Sequence, residues 1–339
     1  MTPHDILSAL PERNILVLGD ICLDRWCTYD PATSEPSRET GLNRIGVVRV
    51  EATAGASGTI ANNLADLGVG RVSLLGVIGE DTFGDELFAC LAKRDIGVDL
   101  VVRSSSVQTF TYTKYINQDT GVEDLPRTDF INTKPLLPYL EAQLVHNLES
   151  FGHLFDAVLV CDQAETQAGG VVTPGVRAAL GRLVEQHPEK VVWVDSRARA
   201  EHFRHVYLKP NEEEAKAASE RLLGRLDFPA LAEACELRAL VVTEGERGAS
   251  AYRDGRHEFA PGVVFAPAVD ICGAGDSFSA GAASALACGA ELMEALHFGN
   301  LVASITVTKK GTGTAYPEEV RLAARLATRL PDATSPNRP

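Results

Sequence analysis

The sequence predicts an α/β protein: a mostly parallel, doubly wound sheet flanked by helices, with a second, smaller β layer. Three observations predict it. Short apolar runs of strand length alternate with longer helical patterns from Asn14 to Val307, the alternation of a parallel sheet with crossover helices. Several of these runs stop at an acid, as at Asp20, Asp162 and Asp195. Two stretches, about 25–50 and 100–131, scatter aromatic and β-branched residues through a polar background with no helical period, which suits short strands.

Taken in order, Asn14-Ile-Leu-Val-Leu-Gly-Asp20 is a central strand whose end opens into a loop. Ligands gather at such ends in open α/β sheets, so Asp20 and Asp24 are candidate substrate contacts; each is equally a turn or cap residue. In the stretch that follows, Trp26, Tyr29, Ile45, Val47, Val48 and Val50 punctuate polar sequence. Residues 54–68 pass from small residues into a helix with Ile60, Leu64 and Leu67 on one face, stopped by Gly68. Val72–Gly84 reads as strand, loop and helix start, and 100–131 repeats the β texture, with Val101-Val102 and Phe110–Ile116. The two β-rich stretches are able to pair as one small sheet.

Leu136–Leu154 is an amphipathic helix, and Ala157–Cys161 a strand ending at Asp162. Pro174–His187 is helix, and Val191–Val194 a strand ending at Asp195. Val206–Glu214 is strand, turn and helix; Asn211 with Glu214 reads as a cap with an acidic first turn. Leu240–Gly248 is a strand entering a glycine-rich turn, and Gly248–Phe259 reads as a hairpin about Asp254-Gly255. Leu296–Val307 is an apolar helix ended by Lys309-Lys310-Gly311-Thr312-Gly313. One domain over 1–330 is expected, with a disordered tail at 331–339.

Composition narrows the function. A chain of 339 residues, 45% hydrophobic and 23% charged, buries a large core. A net charge of −14 argues against a nucleic-acid or anionic-membrane surface, yet leaves room for an anionic substrate bound by local positive charge. Seven cysteines, none spaced Cys-x-x-Cys, suit free thiols in a reducing cytosol rather than a zinc site. Met1–Pro11 lacks the features of a signal peptide, and no apolar run approaches the ~20 residues of a membrane span. A cytoplasmic location is the expectation.

The chemistry centres on Asp270-Ile-Cys-Gly-Ala-Gly-Asp-Ser-Phe-Ser-Ala-Gly281. Gly273, Ala274 and Gly275 precede a run of small and apolar residues that reads as a buried helix. Such a start leaves amides uncovered, with the positive end of the helix dipole behind them, which is an anion cradle. Asp276 at its mouth is placed to take a proton from an alcohol attacking phosphorus. The plain alternative is a helix N-cap.

Asp270-x-x-Gly-Ala-Gly-Asp276 resembles the carboxy-terminal signature of the PfkB/ribokinase family of sugar kinases. Residues 54–68 resemble its amino-terminal signature, with Ala56 at the second glycine and Thr59 at the sugar-contacting Asn. Gly76, Gly79, Asp81 and Gly84 fit a further element, and the resemblance covers roughly 14–325. It implies a ribokinase-like fold with a β lid that often makes a homodimer contact. It implies ATP and Mg²⁺ as cofactors, Asp276 as base, and Gly273, Ala274 and Gly275 as the anion hole. Substrate contacts would come from Asp24, Gly55, Ala56 and Thr59, joined by Asp20 and Asp162. Asn211 and Glu214 would organise magnesium and phosphate; Thr243, Gly245 and Gly248 would lie near the phosphates, and Asn300 beside adenine. K⁺ would sit among Asp270, Cys272, Thr306, Lys309 and Gly311, with Ala315 where the family has a Ser ligand. Within the family, the opening Leu18–Trp26, the Arg127-Thr-Asp-Phe130 segment and Asp195 are most similar to heptose-7-phosphate kinases. The expected function is ATP-dependent phosphorylation of a sugar or sugar phosphate. A kinase of a nucleoside or pyridoxal-type alcohol and a catalytically silent binding protein are the rivals.

Overall fold

The structure, a computed structural model, describes residues 1–164 and 170–327; the expected tail at 331–339 lies outside them. The strands are β1 (Asn14–Gly19), β2 (Ile21–Tyr29), β3 (Val47–Ala56), β4 (Arg71–Leu75), β5 (Val77–Gly79), β6 (Val102–Ser104), β7 (Phe110–Asn117) and β8 (Thr128–Phe130) in the first half. The second half adds β9 (Ala157–Asp162), β10 (Val191–Ser196), β11 (Tyr207–Leu208), β12 (Ala239–Thr243), β13 (Gly248–Arg253) and β14 (Arg256–Pro261). Among the described residues, ten α-helices accompany them: α1 (Pro3–Ala9), α2 (Ser57–Asp66), α3 (Thr82–Ala92), α4 (Pro138–Phe151), α5 (Pro174–Gln186), α6 (Glu212–Leu223), α7 (Phe228–Ala234), α8 (Ala274–Ala287), α9 (Leu292–Thr306) and α10 (Pro317–Ala327).

The main sheet runs β14-β13-β12-β11-β10-β9-β1-β4. Every pairing from β12 to β4 is parallel; only the β12–β13–β14 edge is antiparallel. Side-chain alternation divides the core in two. Ile15, Val17, Leu159 and Trp193 face one cluster with α2, α8 and α9, whereas Leu16, Leu18, Val160 and Val194 face the other with α4, α5 and α6. Both faces are covered, which is why the strands read as unbroken apolar runs. From β1 the chain adds β4 on one side and β9 onward on the other, so a crevice opens at the β1/β9 carboxyl ends.

The second sheet runs β3-β2-β7-β8, with β2 and β7 parallel across a long sequence separation. Segments 25–50 and 100–131 therefore do meet, with one correction. Val102 pairs with Val77 in the separate β5–β6 ribbon rather than joining the lid; Val102 and Ser104 flank the core, and the lid strand starts only at Phe110. The β13–β14 hairpin turns at Asp254 (φ 51°) and Gly255 (φ 70°), both left-handed. Among the described residues no helix is long and apolar enough to cross a membrane, and all seven cysteines are free.

Candidate active site

A cavity lies between the carboxyl ends of the main sheet and one face of the lid sheet. Asp20, Asp24, Thr59, Lys114, Arg127 and Asp276 are among its lining residues. Pleating puts Cys22, Asp24 and Trp26 of β2 on that face together with Phe110, Tyr112 and Lys114 of β7. The start of α8 forms the floor.

That floor is built by local conformation. Gly273 is the N-cap of α8 at φ 78°, left-handed backbone that glycine adopts without strain. A side chain there would meet Thr59 at 3.2 Å and Thr312 at 3.3 Å. The amides of Gly275 and Asp276 have no acceptor among the described residues. A Cβ on Gly275 would lie 3.1 Å from the Lys209 ammonium. The bare amides, the helix dipole and this ammonium together make a seat for an anion of phosphoryl size.

Asp276 is not the cap of its helix, since Gly273 holds that position. Its carboxylate takes no hydrogen bond among the described residues and opens on the cavity. Burial, followed by the negative charge of Asp195, pushes it up to about 7; Lys209 and Arg197 pull the other way. Such a group exchanges a proton near neutral pH. Lys209 and Asp195 form a buried ion pair at 2.6 Å. Burial works against the Lys209 charge, but Asp195 outweighs it and raises the pKa.

Asp24 is held up to about 6, chiefly by burial, against the pull of Lys114 and Arg127. It sits on Gly55: a Cβ there would come within 2.3 Å of Asp24 Oδ2. Ala56, next along, has φ 53° and ψ −117°, a conformation that costs a non-glycine residue about 1–3 kcal/mol. It lies directly before α2, which carries Thr59 into the cavity.

Other expected site residues are placed differently. Asp162 is fully buried and does not line the cavity; Ser196 donates to it at 2.6 Å and the Arg199 guanidinium is bonded to it. Asp20 reaches the cavity wall, but backbone amides occupy its carboxylate. Asn211 and Glu214 close a capping box, each side chain accepting from the other's amide at 2.8–2.9 Å. Thr243 bridges to Asn211 at the adjoining strand end. Gly245 (φ 61°) and Gly248 (φ 119°) shape the turn into β13. Asn300 donates to the carbonyls of Ala260 and Pro261, tying α9 to the end of the hairpin.

Asp270 accepts from the amides of Cys272 (2.9 Å) and Gly311 (3.1 Å), so the two loops expected around a monovalent ion do meet. The Thr306 carbonyl already accepts from the Lys309 amide, and the Lys309 ammonium turns to Thr314 and Glu319; Ala315 is buried. Among the described residues no group of three acids, histidines or cysteines is arranged to hold a metal. The described residues therefore offer an anion seat that fits a phosphoryl group but no ready-made cage for a divalent ion.

The sequence reading left Lys209, Lys114 and Arg197 unassigned. Lys209 had a signal: one lysine closing an apolar strand before Pro210. Lys114 shares the parity of Phe110 and Tyr112, which the strand period alone reveals.

Comparison with known proteins agrees with this geometry. The model of the pfkB family carbohydrate kinases matches residues 13–319. The chain is 32% identical over 323 residues to the bifunctional protein HldE of Geobacter metallireducens, covering 91% of this chain and 62% of that protein. With the HldE protein of Pelobacter propionicus it is 28% identical, covering 99% and 68%. It thus spans about two thirds of the length of these relatives. Among solved structures, it is similar to phosphofructokinase-2 of Escherichia coli in complex with potassium (TM-score 0.69, 18% identity, 94% of this chain and 100% of that chain). It is also similar to ribokinase of Arabidopsis thaliana complexed with ribose and ATP (TM-score 0.66, 19% identity, 92% and 99%). The chain belongs to the pfkB family of carbohydrate kinases and has the ribokinase-like fold.

Proposed function

We propose that this carbohydrate kinase phosphorylates a sugar that already carries a phosphate, with heptose 7-phosphate as the acceptor and ATP as the donor. The observation that carries the reading is one juxtaposition: a carboxylate set near neutrality faces two lid cations across a single cavity. Asp276 lies on the floor, while Lys114 and Arg127 line the lid side of a chain whose net charge is −14. Arg127 is oriented by Asp129 at 2.6 Å and by the Tyr112 ring at 5.1 Å. Lys114 lies 3.8 Å from Glu123.

In this reading Asp24 and Thr59 hold sugar hydroxyls, and Lys114 with Arg127 receives the acceptor's own phosphate. Asp276 takes the proton of the attacking hydroxyl. The Gly275 and Asp276 amides, with Lys209, accept the charge that develops on the moving group. ATP, when bound, supplies the γ-phosphoryl group. Positioning and charge neutralisation carry most of the rate in such transfers. Glu214 keeps one carboxylate oxygen outside its capping box, and that oxygen would be free to help hold a nucleotide-borne magnesium ion.

The test is a coupled ADP-release assay over ribose, fructose, fructose 6-phosphate and heptose 7-phosphate, with and without K⁺. The reading expects the sugar phosphates to be preferred, and Arg127→Ala to raise their KM about tenfold or more while leaving neutral sugars nearly unaffected. Preference for ribose or fructose would overturn the phosphate subsite. ADP release with no sugar in the panel, but with nucleosides or pyridoxal, would move the chain to another acceptor class.

A further inference from the structure

Two acids expected as sugar ligands are engaged elsewhere, and their engagement has a pattern. Asp20 is 3% exposed. Its Oδ2 accepts from the amides of Gln163 (2.9 Å) and Ala164 (2.8 Å), and its Oδ1 from Val171 (2.8 Å). Its carbonyl accepts from Ser57 and its amide donates to Cys161, both at 3.0 Å. One residue thus joins the end of β1, the first residue of α2 and two points beyond β9. From the other side Arg199 donates to the Ala164 carbonyl at 3.0 Å. Asp162 holds that guanidinium, and Ser196 in turn donates to the Asp162 carboxylate. Gly170 fits the gap, where a Cβ would come within 2.8 Å of the Ala164 methyl and 3.6 Å of Asp20 Oδ1. Gln163 and Ala164 are lining residues of the acceptor cavity.

We propose that Asp20 and Arg199 form a two-sided clamp that positions the Gln163–Ala164 wall of the acceptor cavity, so that Asp20 sets acceptor affinity as a positioning residue rather than as a ligand. This rests on the reading of that cavity as the acceptor's. The chemistry follows from donor and acceptor counting. Three amides converge on one carboxylate, and every partner is a donor, so only the ionised form satisfies all of them. Protonation, or an amide in its place, sets a donor against donors. Among the described residues, the charged and titratable groups facing Asp20 are Asp162 and Cys161 from β9 and Arg199 beyond β10. Burial, opposed by the three amides and reinforced by Asp162, raises Asp20 to about 6. At neutral pH the ionised form that the three amides need therefore predominates.

The experiment compares wild type with Asp20→Asn and Arg199→Lys on the panel acceptor that turns over fastest. Expected for both variants is an acceptor KM raised about ten- to a hundredfold, with kcat and the KM for ATP within about threefold. Amide hydrogen exchange at Gln163, Ala164 and Val171 speeds up in Asp20→Asn, which reads the clamp without any acceptor. Unchanged acceptor KM with faster exchange, or a fall in kcat alone, overturns the proposal. If Asp20→Asn does not fold, the KM-selective loss in Arg199→Lys carries the test. The two readings fail separately. Loss of acceptor affinity in Arg127→Ala but not in either clamp variant keeps the acceptor cavity and removes the clamp. No turnover with any panel member removes both.

Discussion

At the scale of single residues, Asp276 is the sharpest prediction. Asp276→Asn keeps the shape of the floor and removes the proton acceptor. The variant should fold and bind ATP, yet lose at least about a hundredfold in kcat, measured by ADP release. In wild type, kcat/KM should rise with pH through an apparent pKa near 7, since the ionised carboxylate is the active form and burial holds it up to about 7. Near-normal turnover in the variant would remove Asp276 from the role of base. A second residue-scale prediction concerns Ala56, locked at φ 53°. Ala56→Gly relieves that strain and should stabilise the protein by about 1 kcal/mol in a denaturant titration, allowing for glycine's greater freedom when unfolded.

Elements explain why the anion seat exists at all. Helix α8 starts on a left-handed glycine and then has no side chain at Gly275 to cover its amides. Gly275→Ala would push a methyl to 3.1 Å from the Lys209 ammonium. It should lower kcat about tenfold or more with little change in melting temperature, because alanine is a better helix former than glycine. The glycine signature was readable in the sequence because bare backbone demands particular residues. The Asn211–Glu214 pair shows the opposite case. A capping box and a metal-organising pair have the same spelling, and the structure shows the capping box. Asp20 and Asp162 were equally ambiguous. A strand end fixes where an acid starts, but not whether it turns toward the cavity or toward a neighbouring guanidinium. Lys209 went unassigned because its partner Asp195 lies on a parallel neighbour, a contact that register alone reveals.

On the scale of the whole molecule, the strand–helix alternation was fully visible, since a sheet covered on both faces needs unbroken apolar strands. The lid was visible as texture, but its parallel β2–β7 pairing was not, because nothing local specifies a partner so distant. The buried acids also have a global consequence. Asp20, Asp24 and Asp276 are raised to about 6, 6 and 7 from an ordinary 3.8. At these three groups the folded protein therefore binds more protons than the unfolded chain between about pH 4 and 7. By linkage these three groups stabilise the fold most at low pH, and that contribution is lost as pH rises through 6–7. Asp276→Asn should flatten the fall in melting temperature of the ligand-free protein between pH 5 and 8. A slope as steep as in wild type would contradict the raised value.

The chain has two tryptophans. Trp193 is 1% exposed in the core and stacked on Tyr207, while Trp26 lines the cavity on the lid with its ring 3.6 Å from a Cβ placed on Gly311. Trp26 thus serves as a built-in optical probe of the lid, bordering the space that an acceptor would fill. A titration followed through indole emission gives a dissociation constant with no label and no turnover, and Trp26→Phe should erase the signal.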